Sequence, residues 1–142
     1  MTTFAYRDGI LVSDSMVSTS VSLTVAGTAR KVLKTKQGWL VAGAGNLRDV
    51  NRFFRWVEEG MDEDEAVKLE NLEGLVVKDR TTILQVDEAL MPYVIDAEFH
   101  TGGQGASVAL GALAMGATAE EAVRVAMKYS LGTGGKIQKV SL

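Results

Sequence analysis

Thr2 carries two reactive groups once the methionine before it is removed: its own hydroxyl and a free α-amine. Methionine is generally removed when the next residue is small, and Thr2 qualifies. An α-amine titrates at about 7.7–8.0 and is partly neutral near pH 7. It can therefore take the hydroxyl proton, directly or through a water, with no histidine involved. Few other routes to an activated nucleophile exist in this sequence. There is no cysteine, which excludes thiolate nucleophiles, thiolate metal sites and disulfides. The single histidine, His100, confines any Ser-His-Asp arrangement to its own surroundings and excludes a multi-histidine metal site.

Two glycine motifs stand where chemistry is easily placed. Gly43-Ala44-Gly45 immediately precedes a helical pattern. A glycine there lets a substrate backbone approach closely, and unpaired N–H groups at a helix start can stabilise a developing oxyanion. A dinucleotide loop is set aside, because Arg48 occupies the third glycine position of GxGxxG and no βαβ unit follows. His100-Thr101-Gly102-Gly103 precedes another helical pattern, which Thr101 could cap. His100 itself reads as structural.

The elements that must position these residues follow from periodicity. Residues 2–7 alternate and carry Phe4 and Tyr6, Asp8-Gly9 signals a hairpin, and residues 10–13 resume as a strand. Residues 15–28 read as an irregular or edge segment. Residues 31–35 and 39–43 form a second hairpin turning at Gln37-Gly38. Leu47, Val50, Phe54 and Val57 then fall at helical spacing, with Asn46 as N-cap and Gly60 as stop. Phe53 and Trp56 stand off that stripe and are candidates for a subunit interface or an intramolecular contact. Residues 62–70 read as a short helix with Asp62 and Glu65 at capping-box spacing. Residues 75–78 and 81–86 form a third hairpin across Asp79-Arg80, and residues 93–99 another strand. Residues 104–115 are almost all Ala, Gly, Val and Leu, which predicts a helix buried on every side. Residues 118–129 begin with Thr118 and Glu121 as a capping box, and residues 136–142 form a last strand.

Strands, helices, strands, helices and a strand, in segregated runs, indicate an α+β fold of layered sheets and helices. A chain of 142 residues is enough for one domain spanning 1–142. A net charge of -3 gives no reason to expect a nucleic-acid or membrane partner. The start lacks a basic region followed by a long apolar run, and no stretch is long enough for a membrane span, so the expected location is cytoplasmic.

Taken in order, TTFAYRDGILVSDS, TARKV, AGAGNLRD, HTGGQG and GTGG resemble the proteasome β-subunit and HslV-type peptidases of the N-terminal-nucleophile hydrolase superfamily. The likeness runs nearly end to end, strongest over about residues 1–57 and over 94–142. It suggests a small, divergent member of the kind some viruses of bacteria encode. The resemblance implies a four-layer αββα sandwich, with two antiparallel sheets between helices. It makes Thr2 the nucleophile, Asp14 the acid ending the second strand, and Lys31 the lysine beneath the nucleophile. A buried ammonium there would disfavour a second positive charge on the α-amine, with Asp14 holding Lys31 in place. The resemblance also implies Gly45 as the oxyanion-hole glycine, and Thr101 as the hydroxyl that contacts the amine and a water. Thr133 matches the hydroxyl of the S/T-G-G turn. Ser130 stands where the family carries an acidic residue, so a neutral group replaces a charge.

What the resemblance implies is a threonine endopeptidase needing no metal or other cofactor, assembled in a homo-oligomeric ring, acting on peptides or unfolded protein, with an ATP-dependent unfoldase as a possible partner. Two alternatives stay open: a ring subunit of the same fold without turnover, and an amidohydrolase using the same nucleophile on a small amide. The substrate pocket is expected to draw on residues 18–28 and 46–49.

Overall fold

The structure is a computed structural model that describes residues 2–18 and 25–142. β1 (Thr3–Arg7) and β2 (Ile10–Ser13) form a hairpin whose two turn residues, Asp8 and Gly9, both take positive φ (52° and 77°). That conformation matches the twist of the strands it joins. β10 (Phe99–Gly103) borders β1 and β11 (Gln138–Ser141) borders β2, giving the antiparallel order β10-β1-β2-β11. β5 (Val32–Lys34), β6 (Leu40–Gly45), β7 (Leu72–Asp79), β8 (Thr82–Asp87) and β9 (Pro92–Val94) form a second antiparallel sheet in chain order. β3 (Met16–Ser18) pairs with β4 (Val25–Thr28). Of the segment expected to be irregular, residues 19–24 lie outside the described residues.

Side-chain alternation builds the layers. On β1, Phe4 and Tyr6 point toward the second sheet, where Leu40, Ala42, Ala44, Leu75 and Val77 meet them. Ala5 and Val12 point the other way, onto α2 (Ala106–Ala114) and α3 (Ala119–Tyr129). Val41 and Val76 face outward from the second sheet, onto α1 (Leu47–Glu58). The result is α1, sheet, sheet, α2 with α3: an α+β fold in four layers. The period of two in the strands sends alternate residues into different cores.

The helix ends follow local chemistry. Asn46 accepts from the Asp49 N–H at 2.8 Å, and Gly60 takes the left-handed conformation after the helix end. Thr118 and Glu121 form a reciprocal capping box. Phe53 and Trp56 are both buried against the second sheet and the segment after the helix, so their contact is within the chain. The Trp56 indole N–H donates to the Asp62 carbonyl at 2.8 Å.

Three expectations are corrected. Residues 62–70 hold a single 3-10 turn, Glu63–Glu65, not a helix. The N–H groups of Leu69, Glu70 and Asn71 are instead drawn sideways, to Glu88 and to the Asp49 carboxylate. Residues 93–99 split between β9 and β10, because the chain crosses from one sheet to the other there. α2 buries Ala109 and Leu113 but leaves Leu110 and Met115 exposed, because β1, β10 and α3 cover one side of it. Among the described residues, no helix is long and apolar enough to cross a membrane.

Gly74 of β7 lies directly under Phe53. A Cβ at that position would sit 2.6 Å from the ring. Gly74→Ala should therefore cost about 1–3 kcal/mol by overpacking. The check is a lower urea midpoint at unchanged slope; an unchanged midpoint would mean the ring has room to move.

Candidate active site

The start of β1 places its two threonines on opposite faces. Phe4 faces the second sheet, so the same alternation turns Thr2 toward that sheet and Thr3 toward α2 and α3. The register sets Thr3 opposite Gly103, and the Gln104 N–H donates to the Thr2 carbonyl at 2.6 Å. Both threonines are buried. Met1 lies outside the described residues.

Asp14 follows β2 and is fully buried. Its Oδ1 accepts from the Thr3 N–H at 3.0 Å. Its Oδ2 accepts from Lys31 Nζ at 3.0 Å and from the Gly134 N–H at 3.1 Å. Lys31 is 4% exposed, and its ammonium also donates to the Met16 carbonyl at 2.6 Å. Burial pushes the Lys31 ammonium below its ordinary pKa, while the Asp14 carboxylate pulls it back up.

On the helix side, Thr3 Oγ1 lies 2.8 Å from Thr133 Oγ1 and accepts from the Gly105 N–H at 2.9 Å. Ser130 closes α3, and its Oγ is 3.2 Å from where a Gly105 Cβ would be, beside the same Thr3 hydroxyl. Thr133 thus meets Thr3, one residue past the expected nucleophile, while Ser130 lies beside Gly105 and Gly134 meets Asp14. Thr101 stands apart. It pairs with Ala5, two residues further into the sheet than Gly103, and its hydroxyl donates to the Phe4 carbonyl at 2.7 Å. It does not cap α2 either: the cap position is Gly105, with no side-chain bond.

Gly45 ends β6 with φ +138°, and the Asn71 carbonyl occupies the space of a Cβ, so only glycine fits. The Gly43 N–H donates to the Lys31 carbonyl at 3.1 Å, across the edge toward β5. Strand alternation turns the Gly45 N–H toward the same edge, past the last β5 pair, Val32 with Ala42. Asp49, buried in the first turn of α1, holds the neighbouring loop: its Oδ2 accepts from the Glu70 and Asn71 N–H groups, both at 2.9 Å, and from Asn46. The Asn71 N–H, with help from Glu70 and Asn46, holds the Asp49 carboxyl below the usual carboxylate range against the opposing effect of burial.

Sequence reasoning missed Thr3, Asp49, Gln138 and Glu73. Thr3 could have been found from the alternation of β1. Glu73 accepts from the Gly103 N–H at 2.9 Å, bridging the sheets, and nothing in its sequence context signals that. His100 lies beside it, 2.6 Å from Gln85 Oε1, and its pKa is lowered by burial and partly restored by Glu73. These contacts tie β10 to the second sheet, which suits the structural reading of His100. Among the described residues, no three His, Cys, Asp or Glu side chains gather closely enough to hold a metal ion.

No family model matches this chain, and no curated protein does. Among solved structures, the chain is similar to eukaryotic HslV from Trypanosoma brucei, with a TM-score of 0.67 at 16% identity over 100% of both chains. At that identity the likeness concerns the fold alone: the four layers of this chain are arranged as in that structure.

Two outcomes follow from these charges. Asp14→Asn would leave the Lys31 ammonium buried without its counter-charge, a loss of about 3–5 kcal/mol in chemical denaturation. The Asp49 carboxyl binds its proton less readily folded than unfolded. Its contribution to stability is therefore present above the unfolded pKa of about 3.9 and is lost as pH falls through the lower folded value. Denaturation midpoints measured against pH should show this acid limb in the wild type and a shallower one in Asp49→Asn.

Proposed function

We propose that the protein is a threonine peptidase in which Thr2, freed by removal of Met1, is the nucleophile. The observation that carries this reading is the buried Lys31–Asp14 pair, bonded through Thr3 to the start of β1. A buried charge pair is expensive to maintain for stability alone. Set beneath a chain terminus, its ammonium disfavours protonation of a nearby α-amine and so keeps that amine available as a base.

The chemistry runs as follows. The neutral α-amine of Thr2 takes the proton of Thr2 Oγ1, directly or through a water, as the oxygen attacks the peptide carbonyl. The Gly45 N–H stabilises the oxyanion of the tetrahedral intermediate. The intermediate collapses with transfer of the proton to the leaving amine, which leaves an ester on Thr2. A water, deprotonated by the α-amine, then attacks the ester; the acyl C–Oγ bond breaks, the ammonium returns its proton to Thr2 Oγ1, and the carboxylic acid is released. Lys31 tunes the base, and Asp14 fixes Lys31. Thr133 supports the site through the Thr3 hydroxyl, Ser130 stands beside Gly105, and Thr101 contributes by bracing β1 at Phe4. The HslV-like fold supports assembly into a homo-oligomeric ring that encloses the sites, a peptide or unfolded-protein substrate, and an unfoldase that delivers it.

A second reading, a ring subunit of this fold without turnover, is favoured by one observation. The hydroxyl partner of Thr3 is the neutral Thr133, and Ser130, near Gly105, is neutral where the family carries an acidic residue.

Intact mass of the purified protein decides the first step: the peptidase reading requires loss of Met1. Incubation with a peptide epoxyketone should then add one inhibitor mass to the wild type and none to Thr2→Ala. Retained Met1, or a processed protein that forms no adduct, would sink the peptidase and leave the non-catalytic subunit.

A further inference from the structure

We propose that Gln138 is the positioning residue that sets Lys31 against Asp14. The inference rests on the peptidase reading of the site, but its geometry stands apart from it. Gln138 opens β11 and pairs with Ser13, the residue before Asp14. Its side-chain amide reaches across to the segment that precedes β5. There Oε1 accepts from the Lys31 N–H at 2.9 Å, and Nε2 donates to the Ala29 carbonyl at 2.7 Å. Turning the amide over would set NH₂ against N–H and oxygen against carbonyl, so one orientation satisfies both contacts.

The two backbone groups lie two residues apart on one edge of an extended segment. A neighbouring strand would present a carbonyl and an N–H to such an edge; here a single amide side chain does so. Lys31 is thereby fixed at both ends, its backbone by Gln138 and its ammonium by Asp14 and Met16. A long flexible side chain can miss a carboxylate by an ångström if its Cα drifts, and the clamp removes that freedom.

The stretch from Thr133 to Gln138 also makes the other contacts of the cluster. The Thr133 hydroxyl meets Thr3, the Gly134 N–H meets Asp14, and the Gly134 carbonyl accepts from the Ser15 and Met16 N–H groups. Gln138 extends this scaffold to Lys31. The amide is neutral at every working pH, so it acts by placement rather than by charge.

The experiment compares wild type, Gln138→Leu and Gln138→Glu. Peptide hydrolysis is followed against pH, and Lys31 is titrated by NMR of isotope-labelled lysine. Gln138→Leu keeps the bulk and loses both bonds. Its kcat should fall by about 10–100-fold with KM within about two-fold. The acid limb of kcat should move to higher pH, because a displaced ammonium repels the protonated α-amine less. Lys31 should titrate nearer to an ordinary lysine. Gln138→Glu keeps the acceptor for the Lys31 N–H but opposes the Ala29 carbonyl, and should fall between the two.

Unchanged kcat, acid limb and Lys31 titration in Gln138→Leu would overturn the proposal. If Gln138→Leu does not fold, the same three readings on Gln138→Glu decide. If the wild type itself neither turns over peptide nor forms an adduct with the epoxyketone, the peptidase reading fails. The Lys31 titration alone then decides whether Gln138 positions it.

Discussion

The structure turns on one carboxylate. Asp14 is wholly buried and is bonded by three donors from three separate parts of the chain: Thr3, Lys31 and Gly134. Its own N–H donates to the Thr3 carbonyl. An ion of this size taken out of water costs several kcal/mol, and only close geometry with every lone pair occupied compensates it. The chain start, the segment before β5 and the Thr133–Gly135 turn must therefore arrive together. None of them can be relocated without leaving a charge stranded, so a demand of electrostatics becomes a demand on topology.

The second sheet meets a similar demand at Asp49. There the carboxylate draws the N–H groups of Glu70 and Asn71 onto the first turn of α1. The same contact explains why residues 62–70 do not continue as a helix. Their N–H groups are claimed from the side, and the acidic run Asp62-Glu63-Asp64-Glu65 has no apolar stripe to bury. The loop so fixed sets the Asn71 carbonyl against Gly45, whose positive φ ends β6 with its N–H toward the open edge. An apparently local turn is thus held by a buried charge in the first turn of a helix.

What was legible in the sequence is what local chemistry decides. The Asp8-Gly9 turn, the Asn46 cap and the Thr118–Glu121 box act over a few residues, and the structure has each of them. The meeting of Asp14 with Lys31 was anticipated through a family resemblance, since nothing in the spacing of the two requires it. The remainder depends on strand register, which a single sequence does not display. A slip of two residues along β10 separates Thr101, which braces Phe4, from Gly103, which faces Thr3. The small-residue helix α2 was expected to be buried throughout. Its composition reports close approach to β1 and α3 on one side, and says nothing about what covers the other.

The two threonines at the chain start illustrate how little separates structure from chemistry here. They are identical side chains one residue apart, and the strand period of two sends them to opposite faces. Thr3 Oγ1 accepts from the Gly105 N–H, shares a hydrogen bond with the Thr133 hydroxyl and is fully enclosed, so it has no room for a substrate carbonyl. Thr2 shares the face of Phe4, toward the sheet that carries Gly45 and leads from Lys31. One extra residue in β1 would exchange the two faces, turning Thr2 toward α2 and α3 and Thr3 toward the second sheet. The hairpin turn and the Thr3–Asp14 bond prevent that slip. Thr3 therefore explains the position of Thr2: its contacts with Asp14, Gly105 and Thr133 pin the register, and the residue before it is set on the face of the second sheet.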